Sequence, residues 1–193
     1  MTEFKDGKSN KAFCNLCEKD SGKSKVVVSR GNPFARFMLI GEAPGTKENI
    51  LGKPFVGRSG KNLDNFLEDA GFSPSNDVFI CNVVKCKPPK NRRPSKLELL
   101  ASLPWLHQQI CLVDPWVIAL AGATALEALL GNKGAITDLR GKWQRWEGRL
   151  VMPLFHPAYL LRNPSNAPGS PKALTKLDFL EISNKLKSLE HEI

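Results

Sequence analysis

Phe37-Met-Leu-Ile-Gly-Glu-Ala-Pro-Gly45 decides how the rest of the chain is read. Four consecutive apolar residues run straight into a turn rich in glycine and proline. An uninterrupted apolar run of this length suits a strand covered on both faces, and such strands belong to parallel sheets with helical crossovers rather than to half-exposed antiparallel ones. Three more runs of the same character follow, from Val78 to Val84, Trp116 to Leu120 and Leu150 to Phe155. Between them lie helical patterns. Ser59 to Ala70 carries Leu63, Phe66, Leu67 and Ala70 on one stripe and stops at Gly71, a residue suited to a left-handed helix end. Pro94 to Val113 predicts a helix with a kink or break at Pro104. Ala123 to Leu130 and Lys172 to Leu189 complete a strand and helix alternation, the pattern of an α/β layer fold. With 193 residues and 41% hydrophobic content, the chain is read as one domain spanning 1–193.

Lys and Arg total 28 against 19 Asp and Glu, a net charge of +9. A polyanionic partner is therefore expected, with plain surface solvation as the alternative. The opening MTEFKDGKSNKAF has no apolar core of a signal peptide, and no stretch reaches the roughly 18 apolar residues of a membrane span. Five cysteines at irregular spacing speak for thiols or metal ligands in a reducing compartment. The expectation is a cytoplasmic protein, monomeric by default.

In open parallel sheets ligands bind at the carboxyl ends of the strands, so polar residues there are the candidates. Glu42 follows the first strand. Phe55 sits in the loop Gly52-Lys-Pro-Phe-Val-Gly57, where it either stacks on a planar ring or plugs the core. Asn82 ends the second run, where its amide must find partners or cost roughly 1–3 kcal/mol. An amide offers one donor and one acceptor, matching the adjacent C=O and N–H of a uracil edge; bonding to neighbouring backbone is the alternative. His156 is the one histidine of three at such a strand end, a donor to a developing oxyanion or a structural residue. Between 85 and 96 stand Lys85, Lys87, Lys90, Arg92, Arg93 and Lys96 with no acid among them, a proline-stiffened loop suited to phosphate contact.

Taken in order, GEAPGTKE at 41–48, GKPFVG at 52–57, NVVKCKPPKNRRP at 82–94 and FHPAYLLRNP at 155–164 resemble the family 4 uracil-DNA glycosylases. The resemblance extends from Cys14 to Asn163. It implies a three-layer α/β domain whose central four-stranded parallel sheet is flanked by helices, and an enzyme that flips uracil out of DNA and hydrolyses its bond to the sugar. It further implies that Phe55 stacks on the base, Asn82 reads its edge, His156 bonds its O2 and Glu42 handles water, with Gly41 and Ala43 also against the substrate. Ala43 and Gly45 stand where other uracil glycosylases carry a water-activating aspartate and a thymine-excluding tyrosine, so Glu48 is the candidate wall beside C5. The loop after His156, with Tyr159, Leu160, Leu161 and Arg162, is expected to supply an apolar wedge and a phosphate contact.

The family commonly carries an iron–sulfur cluster on four cysteines. Cys14, Cys17 and Cys86 match three of those positions, while Ser102 stands at the fourth, and serine is a poorer cluster ligand. Cys111 lies nine residues further along the same helix and on its opposite face, and Cys81 lies within a strand. A four-iron cluster, a three-thiolate cluster, zinc or an empty site all follow from this set, as a structural staple and not a participant in hydrolysis. Two rival functions stay open: a glycosylase for another deaminated base, and a non-catalytic nucleic-acid-binding module.

Overall fold

The computed structural model describes residues 24–131 and 133–192. Six strands form one sheet in the order β1-β3-β2-β4-β6-β5, where β1 is Arg30–Gly31, β2 Phe37–Gly41, β3 Val78–Asn82, β4 Val117–Ala121, β5 Gln144–Trp146 and β6 Arg149–Leu154. The four runs read from the sequence are β2, β3, β4 and β6, and they pair in parallel. The sheet is mixed, however, and larger than the predicted four-stranded parallel one, because β1 and β5 add antiparallel edges to β3 and β6. Neither edge strand has an apolar run to announce it. β5 is joined to β6 by Glu147 and Gly148, at φ +46° and +80°, the doubly left-handed turn that matches hairpin twist.

Every residue of β2, β3 and β4 is buried, since successive side chains enter two different cores. Phe37, Leu39, Val78, Ile80, Met152 and Leu154 pack on one face with Leu63, Phe66 and Leu67 of α2 (Arg58–Asp69) and with Phe179, Ile182 and Leu186 of α7 (Pro171–His191). Met38, Ile40, Phe79, Ile118 and Leu120 pack on the other with Leu106 and Ile110 of α3 (Lys96–Val113) and Leu126 of α4 (Ala123–Leu130). The result is a helix, sheet, helix sandwich. Alternation disappears from the strands because both faces are apolar.

The long helices start and stop near the predicted bounds. α3 begins at Lys96 rather than Pro94, with Ser95 and Glu98 forming a reciprocal capping box that satisfies two backbone donors of the first turn. Of the kink or break expected at Pro104, the break does not occur: α3 runs through it. Three short helices escaped the sequence reading: α1 (Thr46–Leu51), α5 (Ile136–Leu139) and α6 (Pro157–Arg162). The last replaces the loop expected after His156. No helix among the described residues is long and apolar enough to cross a membrane.

Helix α7 is tied to the segment between α5 and β5 by a charge pair, and to the sheet by its apolar stripe. Asp178 is 3% exposed and accepts from Arg140 Nε at 3.0 Å, with a second guanidinium N–H on its other oxygen. Gly141 is placed so close that any side chain there would strike the Asp178 carboxylate. Removing one partner strands the other charge in the interior, at a cost of about 3 kcal/mol for a pair that keeps slight solvent access. Asp178→Ala should therefore lower unfolding free energy by about 3 kcal/mol in urea titration; a change under about 1 kcal/mol would show that α7 is held by apolar contact alone.

Candidate active site

The parallel register sets Gly41 opposite Asn82 at the carboxyl ends of β2 and β3. A side chain at Gly41 would run into the Phe55 ring and Asn82 Oδ1 at once, so glycine here is what lets an aromatic ring and an amide approach the same point. Beside them opens a cavity of about 260 Å³ whose lining includes Glu42, Ala43, Glu48, Phe55, Asn82 and His156. Ligand pockets for drug-sized molecules run roughly 300–1,000 Å³, so this one suits a smaller guest. Residues that are 114 positions apart in the chain, Glu42 and His156, thus share one wall.

Phe55 is 6% exposed and adopts φ +52°, a left-handed conformation that is unfavourable for a bulky side chain and persists only when its surroundings impose it. Two contacts do so. Glu48 Oε1 accepts the backbone N–H of Val56 at 2.9 Å and of Gly57 at 2.8 Å, and Gly60 lies so near that a Cβ there would overlap the Phe55 backbone. Glu48 is 7% exposed. Its carboxylate fits because Gly45 has no side chain; a Cβ at that position would lie 2.8 Å from Glu48 Oε2. Glu48 therefore stands at the cavity corner vacated by Gly45 while clamping the Phe55 loop.

Asn82 is 2% exposed, and among the described residues its side-chain amide has no hydrogen-bond partner. Lining the cavity, the amide is presented to a guest with a complementary edge. Glu42 accepts a hydrogen bond on Oε2 from Thr124 Oγ1 at 2.5 Å. His156 caps α6: its Nδ1 accepts the Ala158 N–H at 3.1 Å. That bond leaves the proton of a neutral imidazole on Nε2, so the ring is a donor at that nitrogen. Burial holds the His156 pKa below its ordinary value, with Glu42 opposing and Arg162 assisting. The Phe55 and His156 rings lie 6.0 Å apart between centroids.

The basic loop divides in two. Lys85 does not lie on the surface expected for a phosphate contact: it is 4% exposed, and its ammonium donates to the Asn82 carbonyl at 2.5 Å and to Gln109 Oε1. Burial pulls its pKa down, partly offset by the Cys81 thiol. Arg92 makes a two-pronged pair with Glu98 at 2.6 and 2.7 Å, and the Arg92 guanidinium in turn holds the Glu98 carboxyl below its ordinary pKa. Arg93 donates to Thr124 and Glu127, each at 3.0 Å. Lys87 is half-buried and Lys90 exposed. In α6, Leu160 is buried while Leu161 is 37% exposed and Arg162 is exposed. These two line a groove with Lys47 and Arg58 next to the cavity, cations that the sequence reading passed over.

Of the cysteines, Cys14 and Cys17 lie outside the described residues. Cys86 is buried at 1% exposure and is not among the free thiols, which are the buried Cys81 and the exposed Cys111. Ser102 is buried, and its hydroxyl donates to the Glu98 carbonyl one turn earlier at 2.8 Å. Among the described residues no three histidine, cysteine or acidic side chains gather into a metal site.

The lowered His156 pKa has a direct consequence. The folded chain binds that proton less tightly than the unfolded chain, so the stability contributed by neutral His156 is full above pH 6.5 and is lost as pH falls through the lowered value. A proton NMR titration of the imidazole should give a midpoint below 6.5; a midpoint at or above it would contradict a half-buried ring held neutral by desolvation.

Comparison with known proteins identifies the family. A family model described as Uracil DNA glycosylase superfamily matches residues 28–187. A type-4 uracil-DNA glycosylase of Thermotoga maritima is 45% identical over 155 residues, covering 79% of this chain and 80% of the relative. Type-4 uracil-DNA glycosylases of Saccharolobus solfataricus and Sulfurisphaera tokodaii are 39% and 33% identical over 183 and 186 residues, covering 91% and 92% of this chain and 82% and 84% of the relatives. The chain belongs to the type-4 branch of the uracil DNA glycosylase superfamily.

Proposed function

We propose that this protein is a DNA repair enzyme that extrudes uracil from DNA and hydrolyses the bond between the base and its deoxyribose, leaving an abasic site. The observation that carries the proposal is the meeting, in one base-sized cavity, of an unpartnered amide, a carboxylate, a neutral imidazole donor and a buried phenyl ring. Each answers one requirement of the reaction. Phe55 offers a face for stacking, and the Asn82 amide pairs with the adjacent carbonyl and N–H of the uracil edge. When the bond from N1 to C1′ breaks, its electron pair leaves with the base and positive charge remains on the sugar. The His156 Nε2 proton then meets the negative charge growing on O2, a donor already in place where the transition state needs it. Water adds to C1′ and its proton passes to the departing uracil anion, with Glu42 orienting the water and favouring the sugar cation. Glu48, in the corner left by Gly45, is the wall we assign to the C5 side.

Lys87, Lys90, Arg93 and Arg162 are the cations we assign to the DNA backbone, with Arg92 held in reserve by its pair with Glu98. Lys85 is better assigned to supporting Asn82 from beneath. Leu161, the exposed apolar residue of α6, is the candidate wedge; Leu160 is spent on the core. As for an iron–sulfur cofactor, a four-thiolate set does not fit these residues, because the fourth position holds the Ser102 hydroxyl, committed to its own helix. Cys86 is disulfide-bonded, so it is the ligand we assign to a metal staple from the basic loop only in its reduced form, with Cys14 and Cys17 as the further thiols that the family resemblance implies.

His156→Ala and Glu42→Ala should each reduce the single-turnover release of uracil from a labelled oligonucleotide by about 100-fold or more, with unchanged circular dichroism. Wild-type rates in both variants would remove this mechanism. A panel of uracil, hypoxanthine and xanthine substrates should give its fastest release with uracil; a faster purine would favour the rival reading of a glycosylase for another deaminated base.

A further inference from the structure

Glu42 does not stand alone in the cavity wall, and the residue that holds it has no part in any assignment so far. Thr124 is the second residue of α4, 3% exposed. A threonine inside a helix usually returns its hydroxyl proton to the carbonyl four residues back, but four residues before Thr124 is Leu120, in strand β4. Its hydroxyl instead reaches across to the end of β2 and donates to Glu42 Oε2 at 2.5 Å.

The direction of that bond is settled by a third side chain. Arg93 Nε donates to the same Thr124 oxygen at 3.0 Å. A hydroxyl has a single proton; with an arginine N–H occupying a lone pair, that proton has the carboxylate as its acceptor. A chain of donors therefore runs from Arg93 through Thr124 to Glu42, each bond polarising the next. Among the described residues Glu42 Oε1 has no hydrogen-bond partner, so the chain fixes one carboxylate oxygen and leaves its twin for the cavity. The turn that delivers Thr124 contains Gly122 at φ +95°, where a Cβ would lie 3.1 Å from His156 Cβ. The end of β4 thus presses on both halves of the site, although it contributes no side chain to the chemistry.

We propose that Thr124 is a positioning residue for the hydrolysis: it holds the Glu42 carboxylate in the orientation that directs water at the sugar, and Arg93, on the loop assigned to the DNA backbone, fixes the direction of the Thr124 proton. The proposal rests on the glycosylase reading given above. It makes the seating of the basic loop a condition of carboxylate alignment. A phosphate that draws the outer guanidinium nitrogens away from Glu127 leaves the Nε bond to Thr124 available.

Single-turnover kinetics on uracil-containing DNA, with enzyme varied to saturation, tests this. Thr124→Val keeps the shape and removes the donor, and the maximal rate should fall roughly tenfold or more, the value of a hydrogen bond to a charged group, while half-saturation stays within about twofold. Thr124→Ser restores the donor and should recover most of the rate, which a merely structural role would not require. In a Glu42→Ala background Thr124→Val should cost nothing further, because the residue acts through the carboxylate. Equal losses in both backgrounds, or an unchanged maximal rate in Thr124→Val, would overturn the proposal. If the wild-type chain releases no uracil, it is the glycosylase reading that fails.

Discussion

The site depends on one steric fact, the absence of a side chain at Gly41. The parallel pairing of β2 with β3 sets that residue directly across from Asn82, and the Phe55 ring packs over the same spot. Any larger residue would separate the ring from the amide. The strand ends supply everything else from the same edge: Glu42 continues β2, His156 follows β6, and Thr124 begins the helix after β4. Four parallel strands pointing one way bring together groups that no local segment could assemble, which is why ligands settle at this edge in open α/β sheets.

Around that point the interior is built for rigidity rather than for economy. Phe55 is held in a conformation unfavourable to it by the Glu48 carboxylate and by the close approach of Gly60. Asn82 has a lysine buried under its own carbonyl, an expensive arrangement that makes sense where an amide must not rotate or shift. His156 spends one ring nitrogen on a helix cap, so that only the other can act. Each functional side chain is thus fixed by a neighbour, and for Asn82 and His156 that neighbour stands outside the cavity.

Much of this was legible in the sequence. The continuous apolar runs gave the parallel core because burial on both faces erases alternation; polar residues at their ends marked Glu42, Asn82 and His156 as candidates, and the glycine- and proline-rich loop 52–57 marked Phe55. Short elements without an apolar signature were not legible: β1 and β5 are built from residues such as Arg30, Gly31 and Gln144, and α6 was hidden in a stretch that begins with proline, a residue that also opens helices. The cation run at 85–96 showed its charge but not its pairing. Lys85 turns inward and Arg92 and Arg93 find acids at Glu98 and Glu127, contacts decided by tertiary distance. Thr124 carried no signal either, since a threonine at a helix start is ordinary and only the fold shows what lies opposite.

The central claim is that carboxylate, amide, imidazole and phenyl ring act on one extruded pyrimidine. A crystal structure of the protein with DNA carrying a hydrolysis-resistant deoxyuridine analogue tests it most directly. The account predicts the base stacked on Phe55, its edge bonded to the Asn82 amide, and its O2 about 3 Å from His156 Nε2. A base lodged outside this cavity, or one inside it with O2 turned away from His156, would contradict it.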